Sequence, residues 1–287
     1  MYAIIDIGSN SIRYMEQGSK KKQSYTTRLG NGLAQTGCLQ RENMDKSISV
    51  ISALASNARH KGFIPAAYAT SAVRDAANRN NFLHELYMRC GITPSVLTGE
   101  QEAAYAYRAA VGNGGCMLDI GGASFQIVSD NFAKSFPMGC VRAMDTVLSA
   151  TALRDCVDDW QIQRHVLTSV LHELLPQCNE YFNEISGIGG TITTLAALKL
   201  QLGEFRDSAV NGFILTRQDI EDLINLLHRL GQKRKDISLL RRRHDVILYG
   251  AVILAFAMDS MHAQKIKVST TDGMEGFLMY LQESSSR

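Results

Sequence analysis

The stretch that decides the fold reads Ala3-Ile4-Ile5-Asp6-Ile7-Gly8-Ser9-Asn10-Ser11, and its pattern returns as Met117-Leu118-Asp119-Ile120-Gly121-Gly122-Ala123-Ser124. In both, an apolar run carries an aspartate near its end, Ile and Gly follow, and a serine stands five residues after the aspartate. The two aspartates are 119 − 6 = 113 residues apart. Short apolar runs that stop at Gly and small polar residues read as strands entering tight turns. Return strands follow at residues 12–15 and 125–128, so each copy is a hairpin. A period this long excludes a solenoid. It indicates an internal duplication, with two related α/β lobes and a cleft between them.

Working outward, Met44, Ile48, Ile51 and Leu54 recur at helical spacing and predict a helix over 44–61, stopped by Gly62. A short strand is expected at 66–70, a helix at 73–90 closed by Gly91, and a strand at 95–97. Thr98-Gly99-Glu100-Gln101 has the spacing of a capping box, opening a helix that runs to about residue 111. Gly112-Asn113-Gly114-Gly115 then marks the boundary between an N-terminal lobe, 1–112, and a C-terminal lobe, 113–287. Further helices are expected at 151–178, 191–202, 217–230 and 243–263, and the serine-rich end, 283–287, is expected to fray. Ile185-Ser186-Gly187-Ile188-Gly189-Gly190-Thr191 reads as a strand end and a glycine turn opening a helix.

Composition narrows the function classes. A chain of 287 residues with 45% hydrophobic residues can build its core without disulfide or metal staples. Thirty Lys+Arg against 28 Asp+Glu leave a net charge of +2, too balanced for nucleic-acid binding driven by overall charge. The longest apolar run, residues 246–258, has 13 residues where a membrane span needs about 20, so it is expected to be a buried helix. The first six residues carry no basic n-region, and no signal peptide is expected. Cys38, Cys90, Cys116, Cys140, Cys156 and Cys178 form no CxxC pair, which points to reduced thiols, a cytoplasmic protein and no His/Cys zinc site.

The turns suggest a chemistry. Small residues let backbone N–H groups approach an anion, and such nests bind phosphate. Gly8, Ser9, Asn10 and Ser11 form one candidate, and Gly121, Gly122 and Ser124 the other. Asp6 and Asp119, each just before its turn, are candidate Mg²⁺ carboxylates, since Mg²⁺ takes oxygen ligands and keeps several waters. Gly189, Gly190 and Thr191 open a helix and are a third anion candidate. The bland readings are ordinary tight hairpins and a structural glycine turn.

The order of motifs resembles the exopolyphosphatase / guanosine pentaphosphate phosphohydrolase family, of the actin-like ATPase and sugar kinase superfamily. The resemblance runs from Asp6-Ile7-Gly8-Ser9-Asn10-Ser11-Ile12-Arg13 through Arg28-Leu29-Gly30-Asn31-Gly32-Leu33 and Ala69-Thr70-Ser71-Ala72-Val73-Arg74-Asp75-Ala76. It continues through Thr98-Gly99-Glu100-Gln101-Glu102-Ala103, Asp119-Ile120-Gly121-Gly122-Ala123-Ser124, Met138-Gly139-Cys140 and Gly189-Gly190-Thr191. It ends with Arg243-His244-Asp245-Val246-Ile247, Gly250-Ala251, Val268-Ser269 and Glu275-Gly276.

The resemblance implies an α/β fold of two ribonuclease-H-like lobes, with the duplicated hairpins binding phosphate in an interlobe cleft. It implies Mg²⁺-dependent hydrolysis of terminal phosphoanhydride bonds in polyphosphate or a guanosine polyphosphate. Glu102 falls on the catalytic carboxylate that handles the attacking water, Arg74 on an arginine that reaches the phosphates, and Asp119 on the metal side of the second loop. Glu100 is the expected bystander. Three departures bear on turnover. Ala123 and Phe125 replace a glycine and a hydroxyl residue, and Gln126 stands where the family has a second acidic residue. Gln126 is therefore the third expected catalytic position, and an amide there cannot take a proton. Met274 stands where the family often has arginine. Two rival readings follow: a low-turnover polyphosphate or nucleotide sensor, and an actin-like ATPase or kinase. Lys20-Lys21-Lys22, Lys233-Arg234-Lys235 and Arg241-Arg242-Arg243 read as solvated faces, or else as a track for a long polyanion. No membrane and no sequence-specific nucleic acid are expected as partners, and a homodimer is a candidate assembly.

Overall fold

The computed structural model describes residues 1–19, 21–111, 115–130, 132–152, 159–175, 182 and 184–284. The chain divides into two units. Unit 1 is Met1–Ala109 with Gly273–Arg287, and unit 2 is Ala110–Asp272. The C-terminal segment thus groups with the first unit. Residues 112–114 of the expected boundary lie outside the described residues.

Unit 1 holds a five-stranded sheet of order β3-β2-β1-β4-β5. The strands are β1 (Tyr2–Ile7), β2 (Ser11–Glu16), β3 (Lys22–Thr26), β4 (Ile64–Ala69) and β5 (Ser95–Val96). The hairpin β1–β2 is antiparallel with Asp6 opposite Arg13 and Ile7 opposite Ile12, and β4 lies parallel to β1. Strand alternation sends Ala3, Ile5 and Ile7 into a core with Met44, Ile48, Ile51 and Ala55 of helix Arg41–His60. On the other face Ile4, Met15, Tyr68 and Leu97 cluster with Met274 and Phe277 of helix Gly273–Ser284. Met274, the departure from arginine, is thus a core residue. A Cβ at Gly276 would overlap the carbonyl of Tyr105, so only glycine lets this helix pass so close to helix Gly99–Ala110.

Unit 2 holds a six-stranded sheet of order β10-β11-β9-β6-β7-β8. Its strands are β6 (Cys116–Ile120), β7 (Phe125–Ser129), β8 (Phe132–Phe136), β9 (Glu184–Ile188), β10 (Ile214–Thr216) and β11 (Lys265–Val268). Read from the other edge, β8-β7-β6-β9-β11 repeats the order of unit 1, with β10 added. Asp119 stands opposite Gln126 and Ile120 opposite Phe125, and β9 runs parallel to β6. The long apolar run forms helix Ile247–Ser260, buried at twelve consecutive residues from Ile247 to Met258. No helix among the described residues is long and apolar enough to cross a membrane.

Several local expectations need correction. The helix expected at 73–90 is two, Ser71–Asp75 and Arg79–Cys90. Between them the Asn78 amide accepts from Leu39 N at 2.9 Å and donates to Leu39 O at 3.0 Å, which ties this break to a distant loop. The stretch 151–178 is not one helix either. Helix Cys140–Ala152 ends early in it, and Trp160–Leu174 starts afresh at Asp159, whose carboxylate accepts from Gln161 N and Ile162 N. The last helix of unit 2 begins at Ile247 rather than 243, after Asp245 Oδ1 takes the Val246 N–H at 3.1 Å. Ser284 is still helical, and 285–287 lie outside the described residues. Cys38, Cys90, Cys116 and Cys140 are free thiols, while Cys156 and Cys178 lie outside the described residues.

Candidate functional site

The first turn is fixed by backbone hydrogen bonds. Gly8 N donates to Ser11 O at 3.2 Å, Gly30 N to Ser9 O at 2.8 Å, and Thr27 N and Arg28 N to Asn10 O at 3.2 and 3.0 Å. These bonds lock the turn's peptide planes, so its N–H vectors are set before any ligand arrives. Ser9 Oγ lies 3.4 Å from Ser71 Oγ, at the start of helix Ser71–Asp75. Asp6 is buried and engaged: Arg13 Nε donates to its Oδ2 at 2.7 Å, and Arg13 Nη2 completes the ion pair.

Arg74 and Glu102 come together in unit 1. Arg74 Nη1 donates to Leu97 O at 3.1 Å and stands 3.7 Å from Glu102 Oε2, while its Nε donates to Asp75 Oδ1 at 3.1 Å. Glu102 sits in the first turn of helix Gly99–Ala110, which the expected capping box opens. Gln101 N donates to Thr98 Oγ1 at 3.2 Å and Thr98 N to Gln101 Oε1 at 3.0 Å. Glu100 is exposed, and its carboxyl is held below the ordinary range by its own backbone N–H and the Thr98 hydroxyl. That local capping role suits a bystander.

In unit 2 the same turn recurs. Gly121 N donates to Ser124 O at 2.9 Å. The turn's carbonyls face the start of helix Cys140–Ala152: Gly121 O accepts from Cys140 N at 3.0 Å, and Gly122 O from Val141 N at 2.7 Å. Gln126 lies on the same side of β7 as Ser124 and donates its amide to Ser124 Oγ at 3.2 Å. Phe125 points the other way and stacks on Phe136 with centroids 4.7 Å apart. Its replacement of a hydroxyl residue is therefore a core change and does not reach the turn.

The third turn adjoins the second. Thr191 Oγ1 donates to Ile120 O at 3.2 Å, linking helix Gly189–Lys199 to the end of β6. Gly189 has φ +82°, and a Cβ there would collide with the Asp119 carboxylate. A Cβ on Gly190 would strike the Arg243 guanidinium. Glycine thus brings a carboxylate and a guanidinium against the helix start. Cys140 is buried beside this turn, and burial pushes its thiol up to about 11, with Arg243 and Thr191 opposing. It is not a nucleophile at neutral pH.

Mg²⁺ needs few protein ligands when phosphate oxygens and water supply the rest. Among the described residues no group of three or more His, Cys, Asp or Glu could hold a metal alone. Asp119 at the glycine turn fits the role of a single carboxylate ligand. Asp6 fits it less well, because a cation there would compete with Arg13. Arg13 and Ser71 drew no separate role from the sequence, while Arg243 stood apart from its basic cluster as part of the C-terminal motif. The repeat itself carried a signal for Arg13, since 13 + 113 = 126 makes it the counterpart of Gln126.

Comparison with known proteins adds an independent line. The model of the Ppx/GppA phosphatase family matches residues 10–284. Exopolyphosphatase 2 of Mycobacterium tuberculosis is 26% identical over 97% of this chain and 98% of its own. A guanosine-5'-triphosphate,3'-diphosphate pyrophosphatase of Vibrio vulnificus is 28% identical over 71% of this chain, which spans only 44% of that enzyme's length. A crystal structure of the Aquifex aeolicus member of the Ppx/GppA family superposes with a TM-score of 0.76 at 26% identity, covering 100% of this chain and 98% of that one.

Proposed function

The chain belongs to the Ppx/GppA phosphatase family, and on that premise we propose that it is a Mg²⁺-dependent hydrolase releasing terminal phosphate from inorganic polyphosphate or guanosine pentaphosphate. The observation that carries the reading is the pair Arg74–Glu102, 3.7 Å apart in unit 1. A carboxylate able to take a proton from water stands beside a guanidinium able to stabilise phosphoryl oxygens. Phosphoryl transfer asks for little more than positioning and charge neutralisation.

In this reading the turn at 8–11 in unit 1 and the turn at 121–124 in unit 2 are each a phosphate cradle of N–H groups and serine hydroxyls. Arg74 leaves its resting contacts with Leu97 O and Asp75 to follow the charge that develops. Glu102 orients the attacking water and accepts its proton, so no covalent intermediate on the protein is needed. Asp119 would hold Mg²⁺, which would supply further neutralisation of the phosphate oxygens.

A second reading, a binding protein with slow turnover, is favoured by one observation. Gln126 is buried and spends its amide on Ser124, so this position supplies no base. Phosphate release from polyphosphate, guanosine pentaphosphate and ATP, each with Mg²⁺, separates the readings. Release from polyphosphate or the pentaphosphate supports the hydrolase. Tight binding with no release supports the sensor, and ATP-dependent transfer to an acceptor overturns both.

A further inference from the structure

The duplication extends to the helices that close each repeat. Strand β11 holds the place in the second sheet that β5 holds in the first. A 12-residue helix beginning on glycine follows each, Gly99–Ala110 after β5 and Gly273–Ser284 after β11. Glu102 stands 102 − 99 = 3 residues after the first glycine, and Gly276 stands 276 − 273 = 3 residues after the second. The copy of the carboxylate position is thus a glycine. The second helix groups with unit 1 rather than with the sheet that precedes it.

In unit 1 the two helices cross. A Cβ on Gly276 would overlap the carbonyl of Tyr105, one turn beyond Glu102 on the same helix. That obstacle is backbone, which has no rotamer to swing away, so a side chain at 276 must displace one helix against the other. Phe277 and Tyr280 flank the crossing, their ring centroids 5.9 and 5.3 Å from that of Tyr105. At the far end of both helices Arg108 Nη1 donates to Glu283 Oε2 at 3.0 Å. The same helix also backs the other half of the site. Leu97, whose carbonyl accepts from Arg74 Nη1, packs in one cluster with Met274 and Phe277. Helix Gly273–Ser284 therefore touches the supports of both Glu102 and Arg74.

We propose that helix Gly273–Ser284 is the platform that sets the Glu102 carboxylate against Arg74, with Gly276 as its positioning residue. Gly276 acts through the Tyr105 backbone and the helix on which Glu102 rides. The inference rests on the hydrolase reading for what the carboxylate does, and goes beyond it in naming what holds the carboxylate in place. Misplacing a catalytic group by about 1 Å can cost roughly 10²-fold in rate, so a close helix crossing next to a general base has a direct kinetic consequence.

The test compares Gly276→Ala with Leu54→Ala, a core substitution in helix Arg41–His60 on the opposite face of the same sheet. The platform predicts that Gly276→Ala lowers kcat on polyphosphate by roughly 10- to 10²-fold, while direct polyphosphate binding and KM stay as in wild type. Leu54→Ala lowers thermal stability and keeps the wild-type kcat. In a Glu102→Gln background, adding Gly276→Ala costs less than about threefold, because the group it misplaces is already gone. With ¹³C-labelled glutamate, the Glu102 carboxyl signal, identified by its loss in Glu102→Gln, shifts in Gly276→Ala and stays put in Leu54→Ala. Phe277→Leu gives smaller changes of the same kind and serves if Gly276→Ala is poorly folded. Where Glu102→Gln is slow, a wild-type kcat in Gly276→Ala overturns the platform. An equal loss of kcat in Leu54→Ala overturns it too, and so does a full further loss in the Glu102→Gln background. A wild type that releases no phosphate, or a Glu102→Gln variant as fast as wild type, contradicts the hydrolase reading. The carboxyl signal then still decides the platform: a shift in Gly276→Ala alone supports it, and an unmoved signal overturns it.

Discussion

The hairpins β1–β2 and β6–β7 share a plan and differ in charge. Each closes its turn with a glycine N–H on a serine carbonyl, at 3.2 Å in the first and 2.9 Å in the second. Each is flanked by a parallel strand that runs into a helix, Ser71–Asp75 after β4 and Gly189–Lys199 after β9. The residue opposite the aspartate differs. Asp6 faces Arg13 and forms an ion pair with it, whereas Asp119 faces Gln126, an uncharged amide turned to Ser124. Backbone hydrogen bonds preserved the shape of the duplicated unit while one cross-strand position reassigned its electrostatics. The first hairpin carries an arginine across from its aspartate, and the second a neutral amide.

The largest expected effect lies in unit 1, with the hairpin that carries the arginine. Glu102→Gln should lower turnover by roughly 10²–10⁴-fold with polyphosphate binding kept, the usual worth of a general base. Arg74→Ala should weaken turnover and binding together. Steady-state kinetics with a parallel binding isotherm check both, and near-wild-type rates in both variants remove the assigned roles.

The ion pair should also matter for stability. Arg13→Ala leaves a buried carboxylate without its guanidinium and should cost up to about 3–5 kcal/mol. Gln126→Ala, at the corresponding position, loses one neutral hydrogen bond and should cost about 0.5–1.5 kcal/mol. Equal losses in denaturant titrations would break the contrast between the hairpins.

Gln126→Glu sharpens it further. A glutamate opposite Asp119 places like charges across a strand pair, an effect of about 0.2–1 kcal/mol that Mg²⁺ should relieve. Thermal melts with and without Mg²⁺ would show this. The variant should also hydrolyse polyphosphate faster and bind it more weakly at low salt. If it is no faster, Gln126 does not limit turnover.

The smallest effect is acid sensitivity in unit 2. The hydrogen bond from Arg164, opposed by burial and aided by Arg217, holds the Glu221 carboxyl below its ordinary 4.5. A lowered folded pKa means the stabilisation is complete above about 4.5 and is lost as pH falls through the lower folded value. Glu221→Gln should flatten that part of the stability profile, and an unchanged profile would assign the loss to other carboxylates.

Both hairpins were legible in the sequence because their signal is local: apolar runs, a glycine-serine turn, and a spacing repeated once. The capping box at Thr98 and helix Arg217–Leu230 were legible for the same reason, the latter closed by Thr216 and Asp219 within one turn. What escaped depends on distant partners. Helix Cys140–Ala152 was not foreseen because its first N–H groups are met by Gly121 O and Gly122 O of the hairpin rather than by a neighbouring side chain. The strands β3, half-buried along most of its length, and β8, mostly exposed, carry no clean alternation. For the site, the repeated motif marked Asp6, Asp119 and Ser124 as candidates, while Gln126 was marked by the family resemblance. The close approach of Arg243 to Gly190, some fifty residues apart in the chain, has no local signature.

The central proposal is that the two duplicated aspartates differ in role: Asp6 is paired with Arg13, and Asp119 is the proposed Mg²⁺ carboxylate. Phosphate release from polyphosphate as a function of Mg²⁺ concentration, in Asp119→Asn and Asp6→Asn beside wild type, tests it most directly. The account predicts that Asp119→Asn raises the Mg²⁺ needed for half-maximal rate at least about tenfold, the loss expected for a metal-site ligand, while Asp6→Asn leaves it unchanged and lowers thermal stability instead. A Mg²⁺ requirement that shifts in Asp6→Asn and stays put in Asp119→Asn would contradict the account.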